Sequence, residues 1–357
     1  MKRLRLLCAA AALALAGAAS PGVAGQADAA RLDYNLQARA LAPGVWVVEG
    51  ANADFEPANG CNIINTGFIA TGAGVLVVNT GPSLKYGQQL RALIERTAGE
   101  PVKQVIHLNL HPDYFLGNQA FADVPRLATP ATRAGMAREA QAYEDNLYRL
   151  CGDWMKGTQA LLPDGDLAPG VLRMGGREFE LREYQGHTDS DLVLVDRRSG
   201  VVFAGGLVFV QRIPTTPHAR LPQWQQSLQA LQAALPAQPA AQAPSRERAD
   251  AAVPGLKALV PSHGPVRADA QGLAMTQRYL GWLEGTLQRA AAQGLEMTEL
   301  LRSPLPEEFQ GWAARATEYT RNVVHLYPRY EQEALRPACD TKARAACEKL
   351  GQIAEKP

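Results

Sequence analysis

The sequence has no excess of charge of either sign: 36 Lys and Arg stand against 35 Asp and Glu among 357 residues. It has no basic run interleaved with aromatics, which argues against nucleic acid as a partner. Past the first thirty residues no apolar run reaches the roughly 20 residues needed to cross a bilayer. No segment repeats, and cysteine is scarce, with five in all. What is left after these exclusions is a globular chain that suits one large domain, or one domain with an appendage.

The N-terminus is the exception to the lack of apolar runs. Met1-Lys2-Arg3-Leu4-Arg5 is basic, Leu6 to Ala19 is apolar and rich in Ala and Leu, and small residues follow as far as Ala30. This is the pattern of a secretory signal peptide, assigned to residues 1–29. Cys8 lies too early in the run for a lipid attachment site, so a soluble periplasmic or secreted protein is expected. The mature chain then keeps Cys61, Cys151, Cys339 and Cys347, an even number in an oxidising compartment. Four cysteines allow three pairings, and sequence does not choose among them. The local pair Cys339–Cys347 is the first guess, which leaves Cys61 with Cys151.

Strands are expected over Leu41–Val48, Ile63–Thr71, Val75–Asn79 and Val102–Leu110, with a helix over Leu84–Thr97 between the last two. A helix over 132–150 follows, then strands near Phe179–Tyr184, Leu192–Asp196, Val201–Gly205 and Leu256–Val260. Pro222–Leu235 reads as an amphipathic helix with Pro in its first turn. The Pro, Ala and Gln-rich stretch 236–254 reads as a flexible insertion. From Ala270 the chain is mostly helical, over Leu273–Gln293 and Tyr319–Leu335, the latter broken or kinked at Pro328. Strand pairs mixed with helices in this order predict an α/β (α+β) fold of two packed sheets flanked by helices. The partition is then 30–267 for the main domain, 268–335 for a C-terminal helical extension and 336–357 for a cysteine-bearing tail.

Three segments carry the chemistry. They are Asn109-Leu110-His111-Pro112-Asp113-Tyr114, Gly186-His187-Thr188-Asp189-Ser190-Asp191, and Pro261-Ser262-His263-Gly264-Pro265. Each places a His after a strand, with Gly or Pro beside it. Imidazole and carboxylate are the ligands zinc prefers where one position stays open for hydrolysis. A lone His is more often a satisfied core residue; three in these contexts form a specific signal. His107 is expected behind the site, His218 on the surface, His325 at the packed edge of a helix, and Asp191 as a support for the loop after His187.

In these segments, and in Asn59 to Phe68, Asn79-Thr80-Gly81 and Thr215-Thr216-Pro217, the chain from about Ala42 to Pro265 resembles the metallo-β-lactamase-fold superfamily. It is most similar to the exported, SoxH-related quinoprotein relay system zinc metallohydrolases. Those proteins accompany quinone-dependent periplasmic alcohol dehydrogenases. The resemblance implies an αβ/βα sandwich with metals at one edge. It also implies a first metal held at positions 109, 111 and 187, and a second at 113, 114 and 263, with an Asp bridging from position 206. Here those positions are Asn109, His111, His187, Asp113, Tyr114, His263 and Gly206, so four of the seven family ligands survive. The Asp that supports the site from the strand end is Asn79. Asn109 and Asn79 change together, since a buried carboxylate with no ligand to orient would only cost desolvation.

The expectation is therefore one zinc ion at most, held by His111, Asp113, His187 and His263, with the Asn109 amide as a further donor. Metal-activated water would hydrolyse an ester, amide or lactone, with Asp113 orienting it; a different chemistry, with the Tyr114 phenol beside Asp113 and His187 serving as acid or base, is also open. The alternative is a non-catalytic protein that binds a small acid, a quinone or a periplasmic dehydrogenase.

Overall fold

The computed structural model describes residues 31–235 and 255–335. The chain divides into Met1–Leu32 and Asp33–Pro357, and the architecture given is that of the second unit. The expected leader, the insertion 236–254 and the tail 336–357, with Cys339 and Cys347, lie outside the described residues.

Two mixed sheets lie at the centre. The first runs in sequence order: β1 (Arg39–Ala42), β2 (Val45–Val48), β3 (Thr66–Ala70), β4 (Val75–Val78), β5 (Val102–Ile106), β6 (Arg126–Ala128) and β7 (Gly165–Asp166). Its first four strands are antiparallel and β4 to β7 are parallel. The second is ordered β12 (Ala258–Val260), β11 (Val201–Phe203), β10 (Asp191–Asp196), β9 (Arg177–Tyr184) and β8 (Gly170–Met174). Only β11 and β12 are parallel there.

Strands β4 and β10 are buried on both faces, which is why each reads as an unbroken apolar run. Successive side chains alternate. Leu76 and Val78 join Leu192, Leu194, Phe179 and Val201 in the core between the sheets. Val75 and Val77 pack outward with Leu90 and Ile94 of α1 (Leu84–Ala98). On the far side, Val193 and Val195 pack with α4 (Leu221–Ala234), α5 (Gln271–Ala292) and α8 (Arg315–Ala334) through Trp224, Leu280 and Val323. Each such buried side chain contributes about 1.5–3 kcal/mol. The layers run helix, sheet, sheet, helix, as the expected sandwich requires.

Some boundaries differ from expectation, for local reasons. The strand begun at Val102 ends at Ile106, not Leu110. Its neighbour β4 stops at Val78, and Asn79 turns left-handed at φ 61°, a conformation Asn tolerates better than most residues. The Asn79 side-chain oxygen then accepts the Leu108 N–H at 3.1 Å. Residues 107–111 therefore run as a loop, and strand alternation does not place 107, 109 and 111 on one face. Strands β6, β7 and β8 were not anticipated; β6 and β7 are very short, and β8 is largely exposed. Helix α2 (Pro112–Phe115) opens directly after His111, and α3 (Pro130–Cys151) is capped by Thr129. The short α6 (Met297–Leu300) and α7 (Glu307–Gln310) precede α8, which starts at Arg315 and runs on through Pro328. A disulfide joins Cys61 to Cys151, tying the loop before β3 to the end of α3. No helix among the described residues is long and apolar enough to cross a membrane.

Candidate functional site

The loops after β5, β9 and β12 meet, and they bring the predicted residues together. The rings of His111 and His187 lie 4.8 Å apart. His263 Nε2 lies 3.6 Å from Asp113 Oδ2. Phe209 packs beneath both halves, 5.6 Å from the His187 ring and 5.0 Å from the His263 ring. All four residues are buried.

The orientation of two imidazoles is fixed from behind. Asp191 Oδ1 accepts from His187 Nδ1 at 3.0 Å, while its Oδ2 accepts the Thr188 N–H at 2.8 Å. The Ile63 carbonyl accepts from His263 Nδ1 at 2.8 Å. Both rings therefore carry their proton on Nδ1 when neutral and present Nε2 as a lone pair. Among the described residues, His187 Nε2, His111 Nε2, Asp113 Oδ2 and the Tyr114 hydroxyl are all buried without a hydrogen-bond partner. His107 lies behind the site as expected, its Nδ1 3.1 Å from the Tyr114 carbonyl.

Three positions do not offer what a two-metal site needs. Asn109 Nδ2 donates to Asp191 Oδ1 at 2.6 Å and to Thr188 Oγ1 at 3.1 Å. The Asn109 oxygen accepts the His111 N–H at 3.1 Å. Its amide holds the loop and touches the back of the His187 ring, with Nδ2 3.3 Å from His187 Nδ1. Tyr114 brings a phenol in place of an imidazole. Gly206 has no room for any side chain, because a Cβ there would meet His187 Nδ1 at 2.1 Å and Asp191 Oδ1 at 2.9 Å. Asn79, whose oxygen holds the Leu108 N–H, braces the same loop through the backbone, not through residue 109.

Burial shifts the titrations. Asp113 is pushed up to about 7 by burial, with its own backbone N–H and Arg212 opposing the rise. His111 and His263 are held well below the usual histidine range, first by burial and then by neighbouring positive charge. Burial likewise takes His107 down to about 3. Tyr114 is held well above the ordinary phenol value by burial and then by Asp113; the Ser262 hydroxyl offsets part of the rise without forming a well-aligned bond.

Two residues beside the site carry no signal in the sequence. Arg212 is fully buried and bonds the Ala53 carbonyl at 2.9 Å and Glu318 at 3.2 Å. Glu318 reaches the site from α8. The pattern of Glu318 followed by Arg321 suggests an exposed helical pair, and nothing local reveals the burial. His218 is half-buried, with its ring 5.6 Å from that of His111, and so borders the cleft instead of facing solvent alone. His325 lines the cavity that opens beside His111, Asp113 and His263. That cavity is about 310 Å³, with Phe55, Ile63 and Leu150 as its apolar wall.

Among the described residues no three His, Cys, Asp or Glu side chains converge closely enough to hold an ion as they stand. The fold supplies two pairs, His111 with His187 and His263 with Asp113. Residues 59–263, more than half of the chain, match the family model described as the metallo-beta-lactamase superfamily. The chain belongs to the metallo-β-lactamase superfamily. No curated protein sequence matches it. In fold, this superfamily member is similar to a metallo-β-lactamase from Pontibacter korlensis, at 22% identity and a TM-score of 0.52, covering 69% of this chain and 99% of that one. It is also similar to a metallo-β-lactamase from Hirschia baltica, at 18% identity and 0.50, covering 69% and 97%. A third likeness is to the metallo-β-lactamase FIM-1 from Pseudomonas aeruginosa in its mono-zinc form, at 17% identity and 0.50, covering 69% and 95%. At these identities the likeness shows the fold alone. The relatives are covered almost end to end, so the rest of this superfamily member is additional to the shared fold.

Proposed function

We propose that the protein is an exported hydrolase of the quinoprotein relay zinc metallohydrolase type, holding at most one zinc ion and cleaving an ester, amide or lactone. One observation carries the reading: His111 Nε2, His187 Nε2 and Asp113 Oδ2 are buried in one cleft with no hydrogen-bond partner among the described residues. Such atoms cost free energy when left dry and unpaired, and a cation would offset that cost. With His263 they make three imidazoles and a carboxylate, the kinds of ligand zinc takes. Two ions do not fit, since Gly206 carries no ligand, Tyr114 offers a protonated phenol and the Asn109 amide is engaged.

A bound zinc would supply a Lewis acid and acidify a water. The chain's own residues do the rest. Asp191 and the Ile63 carbonyl fix the tautomers of His187 and His263. Asp113, which titrates near neutrality without metal, would give up its proton to bind zinc through Oδ2. Tyr114 keeps its proton at neutral pH and acts only as a donor. Phe55, Ile63 and Leu150 give the cavity an apolar wall for the body of a substrate. In this reading residues 30–267 carry the site and a periplasmic quinoprotein dehydrogenase is the partner.

Hydrolysis of nitrophenyl esters, anilides and small lactones, followed with one equivalent of zinc and after chelation, tests the reading. Turnover should return with zinc and be lost in folded His187→Ala. No turnover of any of the three classes at full zinc occupancy would contradict it. The two-pair arrangement and the Tyr114 phenol favour a second reading, a non-catalytic protein binding a small acid, a quinone or the dehydrogenase itself. Ligand binding without zinc uptake would support that one.

A further inference from the structure

One wall of the cavity lies beyond the stretch that matches the family. Helix α8 places Glu318, Arg321 and His325 along it, whereas the match ends at residue 263. Glu318 is only 2% exposed. Its Oε1 is crowded with donors: Arg212 Nη2 at 3.2 Å, Arg321 Nη1 at 3.0 Å and Thr215 Oγ1 at 3.1 Å. Its Oε2 is buried with no hydrogen-bond partner among the described residues. A buried carboxylate oxygen left unpaired is costly, and a donor from a ligand would remove the cost.

The local charge decides which kind of donor fits. Arg321 Nη1 also lies 3.0 Å from Asp54 Oδ1, and Arg212 Nη2 lies 4.0 Å from the same oxygen. Two guanidiniums thus face two carboxylates, and the cluster is neutral without a ligand. A cation at Oε2 would meet repulsion from both guanidiniums, whereas a neutral N–H or O–H meets the lone pair without it. The apolar wall and the volume of about 310 Å³ suit a small, partly apolar molecule.

We propose that Glu318 is a ligand-recognition residue whose Oε2 accepts a hydrogen bond from a neutral N–H or O–H, as in a primary amide or an alcohol. The inference deepens the hydrolase reading, resting on this cavity being where the substrate binds, but its test reads binding and not turnover. Benzamide and N,N-dimethylbenzamide share an aromatic body and differ in the donor. Each is titrated into the full chain, following the resonances of Phe55, Ile63 and Leu150, which line the cavity. Wild type should bind benzamide about tenfold tighter or more, the worth of a hydrogen bond to a charged acceptor. In Glu318→Gln the guanidiniums hold the amide oxygen, which leaves the NH₂ where Oε2 was, so the preference should vanish or invert. Equal affinities in wild type overturn the proposal even if Glu318→Gln fails to fold, and so does a lack of binding by both at millimolar concentration. Loss of turnover with the benzamide preference intact would sink the hydrolase reading alone.

Discussion

A methyl group added at Gly206 would sit 2.1 Å from His187 Nδ1, so this glycine and the hydrogen bond from His187 to Asp191 depend on each other. Gly206→Ala should force the ring off Asp191 and destabilise the fold by about 1–3 kcal/mol, as overpacking does. Urea unfolding measures the loss, and the His187 ring resonances report the displacement. A wild-type midpoint with unmoved resonances would show that the loop has room that the geometry denies. The same contact means that Gly206→Asp should not restore a second ion. His111, Asp113, His187 and His263 were legible in the sequence because each lies in a short motif beside Gly or Pro. Arg212 and Glu318 were not, since they meet across 106 residues and neither stands in a motif. The engagement of the Asn109 amide was also hidden, because it depends on where Asp191 and Thr188 end up in space.

At the scale of elements, the site hangs on loops held by few fixed points. The apolar alternation of Val102 to Leu110 overstates β5, because sheet pairing depends on a neighbour and β4 stops at Val78. The buried strands β4 and β10 were clear because burial on both faces leaves a continuous apolar run; the exposed β8 left no such trace. One fixed point is the disulfide Cys61–Cys151, which closes a sequence separation of 90 residues. It lies two residues before Ile63, whose carbonyl orients His263. Replacing both cysteines by serine should cost roughly 4 kcal/mol through the freed unfolded chain. Calorimetry or denaturant unfolding would register this, and a change under about 1 kcal/mol would argue that the unfolded state is constrained by other means.

At the scale of the whole molecule, the burial of the site sets how stability depends on pH. The folded pKa of His107 is about 3 against the usual 6.5, and those of His111 and His263 also lie well below 6.5. Groups shifted this way stabilise the fold fully above 6.5, and that contribution is lost as pH falls below it. Asp113 works in the opposite sense: with its pKa raised from 3.8 to about 7, its contribution is present below 3.8 and lost as pH rises through 7. Three imidazoles outweigh one carboxylate between these limits. Metal-free protein should therefore gain stability from pH 5 to 6, by roughly 2 kcal/mol per pH unit. Denaturant unfolding across that window checks the sign; a fall in stability would place the histidines in contact with water.

We propose that this member of the metallo-β-lactamase superfamily has enough of a site for one ion and too little for two. Zinc content by mass spectrometry, on full-length protein purified without chelators and then challenged with zinc, tests it most directly. One equivalent is expected, lost in both His111→Ala and His187→Ala. Two equivalents, or less than about 0.1 equivalent in a folded wild-type protein, would contradict it.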